Sequence, residues 1–205
     1  MKKPDTLMIT GPVGQLETII IPAQISPKGV AIICHPNPLQ GGTNTNKVVQ
    51  TIAKALSEEG FECYCPNLRG VGLSAGEHDY GKGEVDDVLA IIEYAKQSHQ
   101  TEEVILAGFS FGGYVALFSA QKTVVSRLLL VAPAVGKYTI PAPDSFDVER
   151  TMLIQGEEDD VITLSMALEW ARPQNLPVIV VPGAGHFFHG QLIKLKQLVS
   201  RYLLH

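Results

Sequence analysis

Apolar runs alternate with amphipathic segments along most of this chain, and no other feature constrains its fold as strongly. Several runs are unbroken stretches of Val, Ile and Leu, which is typical of strands buried on both faces of a mostly parallel sheet. From the third run onward, the intervening segments repeat their apolar residues at helical spacing. The alternation predicts an α/β sheet with helices on both faces. The predicted strands begin near Thr6, Leu16, Gly29, Phe61, Glu103, Arg127, Thr151 and Pro177.

The connection between the first two strand runs is short and contains Gly11, Pro12 and Gly14. Such a connection suits a hairpin and is too short for a parallel crossover. The pattern therefore predicts a sheet of about eight strands with an antiparallel N-terminal edge. A length of 205 residues favours a single domain over residues 1–205. The predicted helices span about residues 46–60, 84–97, 112–122, 164–171 and 191–204.

Charge and hydropathy exclude several classes of partner. The formal net charge is −5, and an acidic chain without a basic run is a poor candidate for binding nucleic acid. No apolar run approaches the roughly 18 residues of a membrane helix. The first residues, MKKPDTLMITGPVGQ, lack the apolar core of a secretory signal. We therefore expect a cytoplasmic protein with no nucleic-acid partner and no membrane.

The three cysteines are Cys34, Cys63 and Cys65, an odd number without a paired framework. Cys63 and Cys65 alternate within one predicted strand and therefore share a face. We expect all three to be small buried hydrophobic residues in a reducing compartment. The six histidines show no H-E-x-x-H spacing, so we predict no metal site.

The sharpest motif is EVILAGFSFGGYVALF, in which Gly108, Ser110 and Gly112 form a G-x-S-x-G pattern between a buried strand and a helix. In this context the pattern is typical of a nucleophile elbow. The two glycines lack the Cβ atoms that would collide across such a tight turn. The turn lifts the Ser110 hydroxyl above the sheet edge, and the helix N-terminus favours a developing negative charge.

A serine hydroxyl needs a base to become a nucleophile, and the base needs an orienting acid. Carboxylates follow the seventh predicted strand at residues 157–160, and His186 follows the eighth within a loop of small residues. His189 is a competing base, but its position near the last predicted helix favours a capping or surface role. The chain order serine, acid, histidine is the order expected for a G-x-S-x-G elbow on such a sheet.

The third predicted strand ends in a loop that reads His35-Pro36-Asn37-Pro38-Leu39. A developing oxyanion would receive one hydrogen bond from the backbone N–H of Phe111, directly after Ser110, and a second from this loop. The two prolines have no N–H, which leaves Asn37 or Leu39 as the second donor. We favour Asn37.

Together these motifs resemble those of the α/β-hydrolases, over essentially the whole chain. The pattern is most similar to a small lidless branch of bacterial hydrolases related to dienelactone-hydrolase-like enzymes, in which a His-Pro-x-Pro loop precedes Gly-Gly-Thr. The loop after the fourth strand, with Arg69 and its two following glycines, is also similar to that branch. The family's Gly-x-x-Asp motif fits Gly156 and Asp159 and selects Asp159 over Asp160. Dienelactone hydrolases proper carry a cysteine where this chain has Ser110.

The resemblance implies a serine hydrolase that cleaves a small carboxylic ester or thioester without a cofactor. Ser110 would attack the acyl substrate, His186 would take its proton, and Asp159 would orient His186. Residues 133–149, between the sixth and seventh strands, are too few for a helical lid, which disfavours action on lipid interfaces. The alternatives are a peptidase, amidase or acyltransferase with the same three residues, and a non-catalytic binding protein.

Overall fold

The computed structural model describes residues 4–138 and 146–203, and the strands within them form one eight-stranded sheet. Their order across the sheet is β1-β2-β4-β3-β5-β6-β7-β8. β1 and β2 form an antiparallel hairpin, β2 is antiparallel to β4, and all other neighbours are parallel. The predicted strand count and antiparallel edge are confirmed. The strands are β1 Asp5–Gly11, β2 Gly14–Ile21, β3 Gly29–Cys34, β4 Phe61–Pro66, β5 Val104–Phe109, β6 Arg127–Val131, β7 Thr151–Gly156 and β8 Val178–Val181.

Helices cover both faces of the sheet, as predicted. One apolar layer joins the sheet to α1 and α5, and the other joins it to α2, α3 and part of α4. Successive residues of β3 contribute to opposite layers, with Ile32 in one and Ile33 in the other, because strand side chains alternate between faces. The helices are α1 Lys47–Glu58, α2 Lys82–His99, α3 Phe111–Lys122, α4 Leu164–Ala171 and α5 Leu192–Tyr202.

Local residues explain where α1 begins and ends. The Asn46 side chain accepts a hydrogen bond from the Val48 N–H at 2.9 Å, which satisfies one of the unpaired donors of the first turn. After Glu58, Gly60 takes a φ of 100°, a conformation that glycine adopts without strain. The chain is thereby turned directly into β4.

The cysteines are free and buried, as expected from their positions in strands. Cys34 belongs to one apolar layer, and Cys63 and Cys65 belong to the other. Burial raises the pKa of Cys34 to about 12 and raises those of Cys63 and Cys65. The three thiols therefore stay protonated near neutral pH and serve as packing groups.

The described part of the connection from β6 to β7 forms no lid. This part contains one short 3₁₀ turn at Val148–Arg150, and residues 139–145 of the segment predicted to be too short for a helical lid lie outside the described residues. Among the helices that the structure describes, none has both the length and the apolar character needed to cross a membrane. The loops that follow the parallel strands meet at one edge of the sheet, where ligands of open α/β sheets bind.

Candidate active site

Ser110 lies in the turn between β5 and α3 and has a strained backbone, with φ 54° and ψ −118°. Its carbonyl oxygen accepts hydrogen bonds from the N–H groups of Gly113, Tyr114 and Ala134 at 2.9, 3.2 and 3.0 Å. Its own N–H donates to the Val131 carbonyl at 3.0 Å. Four hydrogen bonds therefore hold a conformation that an L-residue rarely adopts, as strained functional positions require.

The glycines on either side of Ser110 are required by close backbone contacts. A Cβ on Gly108 would lie 2.2 Å from the Gly112 carbonyl oxygen. A Cβ on Gly112 would lie 2.2 Å from the carbonyl oxygen of Cys34, at the end of β3. Backbone atoms cannot move aside as a flexible side chain can. The short approach also brings the first turn of α3 against the loop that follows β3.

Ser110, His186 and Asp159 come together across 76 residues of sequence and form one hydrogen-bonded line. The Ser110 Oγ lies 3.0 Å from the His186 Nε2, and the His186 Nδ1 lies 2.8 Å from the Asp159 Oδ2. All three side chains are nearly covered, with exposed fractions of 7%, 5% and 4% for the three residues. The other Asp159 oxygen, Oδ1, accepts hydrogen bonds from the N–H groups of Val161 and Ile162 at 2.9 and 2.8 Å.

The partners of His186 determine its tautomer. An ionised carboxylate only accepts hydrogen bonds, so the Nδ1 that faces Asp159 carries the proton. The Nε2 of the neutral ring then accepts from the Ser110 hydroxyl. Burial raises the pKa of Asp159, but the hydrogen bonds from His186, Ile162 and Val161 outweigh it and hold this pKa below its usual value. Asp159 therefore stays ionised at neutral pH and can stabilise a protonated His186.

The competing residues lie elsewhere. Asp160 and His189 are exposed, and neither shares the hydrogen bonds that join Asp159, His186 and Ser110. Phe187 is 44% exposed beside His186, with ring centroids 5.1 Å apart, whereas Phe188 is buried in the core. Trp170 stacks on Phe146. Of the aromatic residues near the end of the chain, Phe187 is therefore the one placed to contact a bound molecule.

The loop after β3 places Asn37 and Leu39 in different situations. The Leu39 N–H donates to the Asn37 Oδ1 at 2.9 Å and is therefore engaged. Within residues 4–138 and 146–203, the N–H groups of Asn37 and Phe111 donate no hydrogen bond. Free N–H donors in a rigid loop are what a developing oxyanion requires. This geometry favours Asn37 over Leu39 as the second donor.

Side chains of neighbouring loops hold this donor loop in place. The Asn37 Nδ2 donates to the Tyr138 hydroxyl at 3.2 Å, which ties the loop to the segment after β6. His35 is fully buried, and its Nδ1 donates to the Pro36 carbonyl at 2.7 Å. Its Nε2 accepts from the Leu68 N–H at 3.1 Å, which ties the loop to the segment after β4. The two prolines and these contacts make the loop rigid.

His35 should make the fold sensitive to acid. Burial lowers its pKa from 6.5 to about 4, so between these values the unfolded chain binds a proton that the folded chain does not. The free energy of unfolding should therefore fall as the pH drops from about 6.5 to about 4. His35 alone should account for a loss of about 3 kcal/mol. The measurement is the free energy of unfolding in urea at pH 7 and pH 4, for the wild type and for His35→Gln.

The free energies of unfolding of the wild type and of His35→Gln should depend differently on pH. His35→Gln has no titrating group at this position, so the gap in stability between it and the wild type should narrow by about 3 kcal/mol between pH 7 and pH 4. Equal losses in the two proteins would show that His35 is not the group responsible.

Two residues that contact this site were not predicted from the sequence. Tyr138 lies in a loop without regular structure, and nothing in its neighbourhood distinguishes it. Gln155 lies in β7 and donates a hydrogen bond to Asp159. The sequence feature that could have identified it is a polar residue inside the apolar run TMLIQG. Within the described parts of the chain, no three His, Cys, Asp or Glu side chains are grouped to hold a metal ion.

Comparison with known proteins gives a consistent family. A family model described as alpha/beta hydrolase fold matches residues 32–147, which include Ser110. A serine hydrolase homologue from Coxiella burnetii is 38% identical, with a TM-score of 0.89 over 99% of both chains. A lidless serine hydrolase from Xanthomonas campestris is 32% identical, with a TM-score of 0.89 over 100% of this chain and 95% of that one.

A third relative extends the match to a curated sequence. An uncharacterised protein of Rickettsia prowazekii is 26% identical over 214 residues, which cover 97% of this chain and 88% of the relative. The two serine hydrolase structures match this chain over nearly its full length. The family model and these full-length matches agree with the topology, and the chain belongs to the α/β-hydrolase fold family.

Proposed function

We propose that this protein is a serine hydrolase that cleaves a small carboxylic ester or thioester through an acyl-enzyme. One observation carries the proposal: the Ser110 Oγ is 3.0 Å from the His186 Nε2, while the His186 Nδ1 is 2.8 Å from the Asp159 Oδ2. A nucleophile, a base of defined tautomer and an ionised orienting acid are thus in hydrogen-bond contact. These are the groups that acyl transfer to water requires.

In the first half of the reaction, Ser110 Oγ attacks the carbonyl carbon while His186 Nε2 takes the hydroxyl proton. The carbonyl oxygen becomes an oxyanion, and the N–H groups of Phe111 and Asn37 donate hydrogen bonds to it. Asp159 stabilises the imidazolium without taking its proton. His186 then gives the proton to the leaving alcohol or thiol, and Ser110 remains acylated.

In the second half, water takes the place of the leaving group. His186 Nε2 removes a proton from this water as it attacks the acyl carbon, and a second oxyanion forms at the same two N–H donors. Collapse of that intermediate breaks the bond to Ser110 Oγ, which recovers its proton from His186. The carboxylic acid leaves, and the three side chains return to their starting protonation states.

The surroundings of Ser110 favour small substrates. The described part of the β6–β7 connection has only one short 3₁₀ turn, so it offers no long covered channel for an extended acyl chain. The exposed ring of Phe187 lies beside His186 and offers an apolar surface for a short acyl or alcohol group. Short acyl esters and thioesters therefore fit better than long-chain lipids.

Labelling with a fluorophosphonate probe tests the proposal. The activated Ser110 hydroxyl should form an adduct that mass spectrometry maps to this residue, and His186→Ala should abolish it. His189→Ala is the matched control because His189 is exposed three residues away, and this variant should label like the wild type. A panel of p-nitrophenyl esters and acyl thioesters of increasing chain length then identifies the preferred substrate.

Absence of labelling on folded wild-type protein would contradict the proposal and favour a binding protein. Transfer of the acyl group to an added alcohol or amine in preference to water would identify an acyltransferase. Faster cleavage of amides than of matched esters would identify an amidase.

The side chain of Asn37 should matter for turnover, although its backbone is the proposed donor. Asn37→Ala removes the bonds to the Leu39 N–H and the Tyr138 hydroxyl, so the loop loses the contacts that orient the Asn37 N–H. We expect kcat to fall by about tenfold with little change in KM, because the oxyanion exists only in the transition state. Steady-state kinetics on p-nitrophenyl acetate provide the measurement.

Asn46→Ala is the matched control for Asn37→Ala. Asn46 also accepts a bond of 2.9 Å from the N–H two residues later, but it caps α1. Its replacement should lower stability by about 1 kcal/mol and leave kcat unchanged. Equal kcat values for Asn37→Ala and the wild type would remove the Asn37 side chain from the proposed mechanism.

A further inference from the structure

Gln155 makes a buried contact with Asp159 that the reaction described above does not use. It is the penultimate residue of β7 and is completely buried. Its Nε2 donates to the Asp159 Oδ2 at 3.0 Å and to the Ile162 carbonyl at 2.8 Å. The Asp159 Oδ2 is the oxygen that also accepts from His186. Gln155 and His186 therefore share one carboxylate oxygen.

The orientation of the Gln155 amide follows from these neighbours. Both groups in contact with its terminal nitrogen are pure acceptors, a carboxylate and a carbonyl, so the NH₂ group must face them. The remaining atom, Oε1, is buried and has no hydrogen-bond partner among the described residues. An unsatisfied buried carbonyl destabilises a folded protein. An apolar side chain at this position would pack against the core without burying an unsatisfied carbonyl oxygen, so packing alone does not account for a glutamine here.

The contact gives Asp159 a complete set of donors. Oδ1 accepts from two backbone N–H groups, and Oδ2 accepts from His186 and Gln155. Two bonds to each oxygen fix the plane of the carboxylate. They also spread its negative charge over four N–H groups, which weakens the hold of Oδ2 on the His186 proton. Gln155 is the side chain that supplies the fourth donor.

We propose that Gln155 is a positioning residue that holds the Asp159 carboxylate in its hydrogen bond to His186 and limits the basicity that Asp159 confers on His186. Its effect on turnover rests on the proposed function, whereas its effect on the proton affinity of His186 does not. Without Gln155, the carboxylate should rotate more freely and its charge should concentrate on the bond to His186.

The other charged groups on the loops of Asp159 and His186, and on the described part of the connection after β6, lie at the surface. Lys137, in the loop after β6, is exposed, and its Nζ donates to the Val161 carbonyl at 3.2 Å. Glu157, Glu158 and Asp160 lie on the loop of Asp159, and all three are exposed. The loop of His186 adds the exposed His189. Water and salt screen such charges, whereas Gln155 contacts Asp159 in the interior.

The test is the variant Gln155→Met, which keeps an unbranched chain of similar volume and removes both amide groups. Gln50→Met is the matched control, because Gln50 lies in α1 and, among the described residues, its Nε2 donates only to the Asn44 carbonyl, at 2.7 Å. NMR titration of ¹³C-labelled histidine, assigned with His186→Ala, gives the pKa of His186 in each protein. We expect this pKa to rise by about 0.5–1 unit in Gln155→Met and to stay unchanged in Gln50→Met.

Kinetics provide a second readout on the same variants. On p-nitrophenyl acetate, Gln155→Met should lower kcat by about tenfold with KM nearly constant. The acid limb of the pH–rate profile should shift to higher pH, together with the His186 pKa. Should Gln155→Met fail to fold, Gln155→Asn keeps the amide but is one methylene too short to reach Asp159. It should shift the His186 pKa in the same direction.

The outcomes separate this inference from the proposed function. An unchanged or lowered His186 pKa in the Gln155 variants would overturn the role of Gln155, whatever the kinetics show. Wild-type protein without turnover or probe labelling would overturn the proposed function, and the NMR comparison would still decide on Gln155. A fall in stability with no change in the His186 pKa would reduce Gln155 to a packing residue.

Discussion

Replacing Ser110 by alanine is expected to lower kcat for a p-nitrophenyl ester by a factor on the order of 10⁶, while the protein stays folded. The reason is chemical, because no other hydroxyl or thiol lies within hydrogen-bond distance of the His186 Nε2 among the described residues. The three cysteines are buried and protonated, so none replaces the serine. The measurement is steady-state turnover together with the unfolding transition.

A second substitution at the same position separates activity from stability. The φ of 54° and ψ of −118° at Ser110 strain any residue that carries a Cβ, so alanine keeps the strain and glycine removes it. Ser110→Gly should therefore be inactive and about 1–2 kcal/mol more stable than Ser110→Ala. Retained turnover in Ser110→Ala would remove Ser110 as nucleophile, and equal stabilities would show that the elbow stores no strain.

The elbow was predictable from the sequence because its causes are local. The buried strand, the two glycines, the serine and the helix follow one another within residues 103–118. The tight turn follows from those residue types alone. Strand order was partly predictable for the same reason, since a short connection after β1 leaves only a hairpin.

Burial and direction of side chains in the loops were not predictable in this way. Asp159 and Asp160 are adjacent and chemically identical, yet one is buried against His186 and the other is exposed. What separates them is a turn in which Asp159 Oδ1 accepts the N–H groups of the next residues. Hydropathy does not carry that information, and a family motif was needed to choose between them.

The apolar spacing that predicts α2 does not identify every side chain that this helix buries. Apolar residues at helical spacing, such as Val85, Val88 and Ile92, are buried as that spacing predicts, but the structure also buries Glu84 and Asp87. Their carboxylates bind groups in the preceding loop, which periodicity does not reveal. Asp87 is the clearer case because its partner is Arg69, in the segment that resembled the lidless hydrolases.

Loss of the Asp87 carboxylate is expected to be among the most destabilising changes in this protein. Asp87 Oδ2 accepts from the Arg69 N–H and Nε at 3.0 and 2.9 Å, and Oδ1 accepts from Nη2 at 2.7 Å. Asp87 is fully buried and Arg69 is 9% exposed. Asp87→Ala would leave a covered guanidinium without its counter-charge, so the free energy of unfolding should fall by about 3–5 kcal/mol.

The consequence should reach the candidate active site. Arg69 is next to Leu68, whose N–H binds His35 beneath the proposed oxyanion loop. If Arg69 loses its hydrogen bonds to Asp87, the bond between the Leu68 N–H and His35 should weaken before the sheet unfolds. Hydrogen exchange of the Leu68 amide in Asp87→Ala should therefore accelerate more than the global loss of stability predicts.

Asp86→Ala provides the matched control, one position earlier on the same helix. Asp86 is exposed and pairs with Lys122 at 3.4 Å, also at the surface, so its loss should lower the free energy of unfolding by about 1 kcal/mol or less.

The double variant Arg69→Met/Asp87→Ala should recover part of the stability lost in Asp87→Ala, because it removes the unpaired buried charge. Equal losses in Asp86→Ala and Asp87→Ala, measured in urea, would show that burial of the Arg69–Asp87 pair contributes nothing beyond a surface ion pair. No recovery in the double variant would place the loss in the Arg69 backbone N–H, which stays without its acceptor in both.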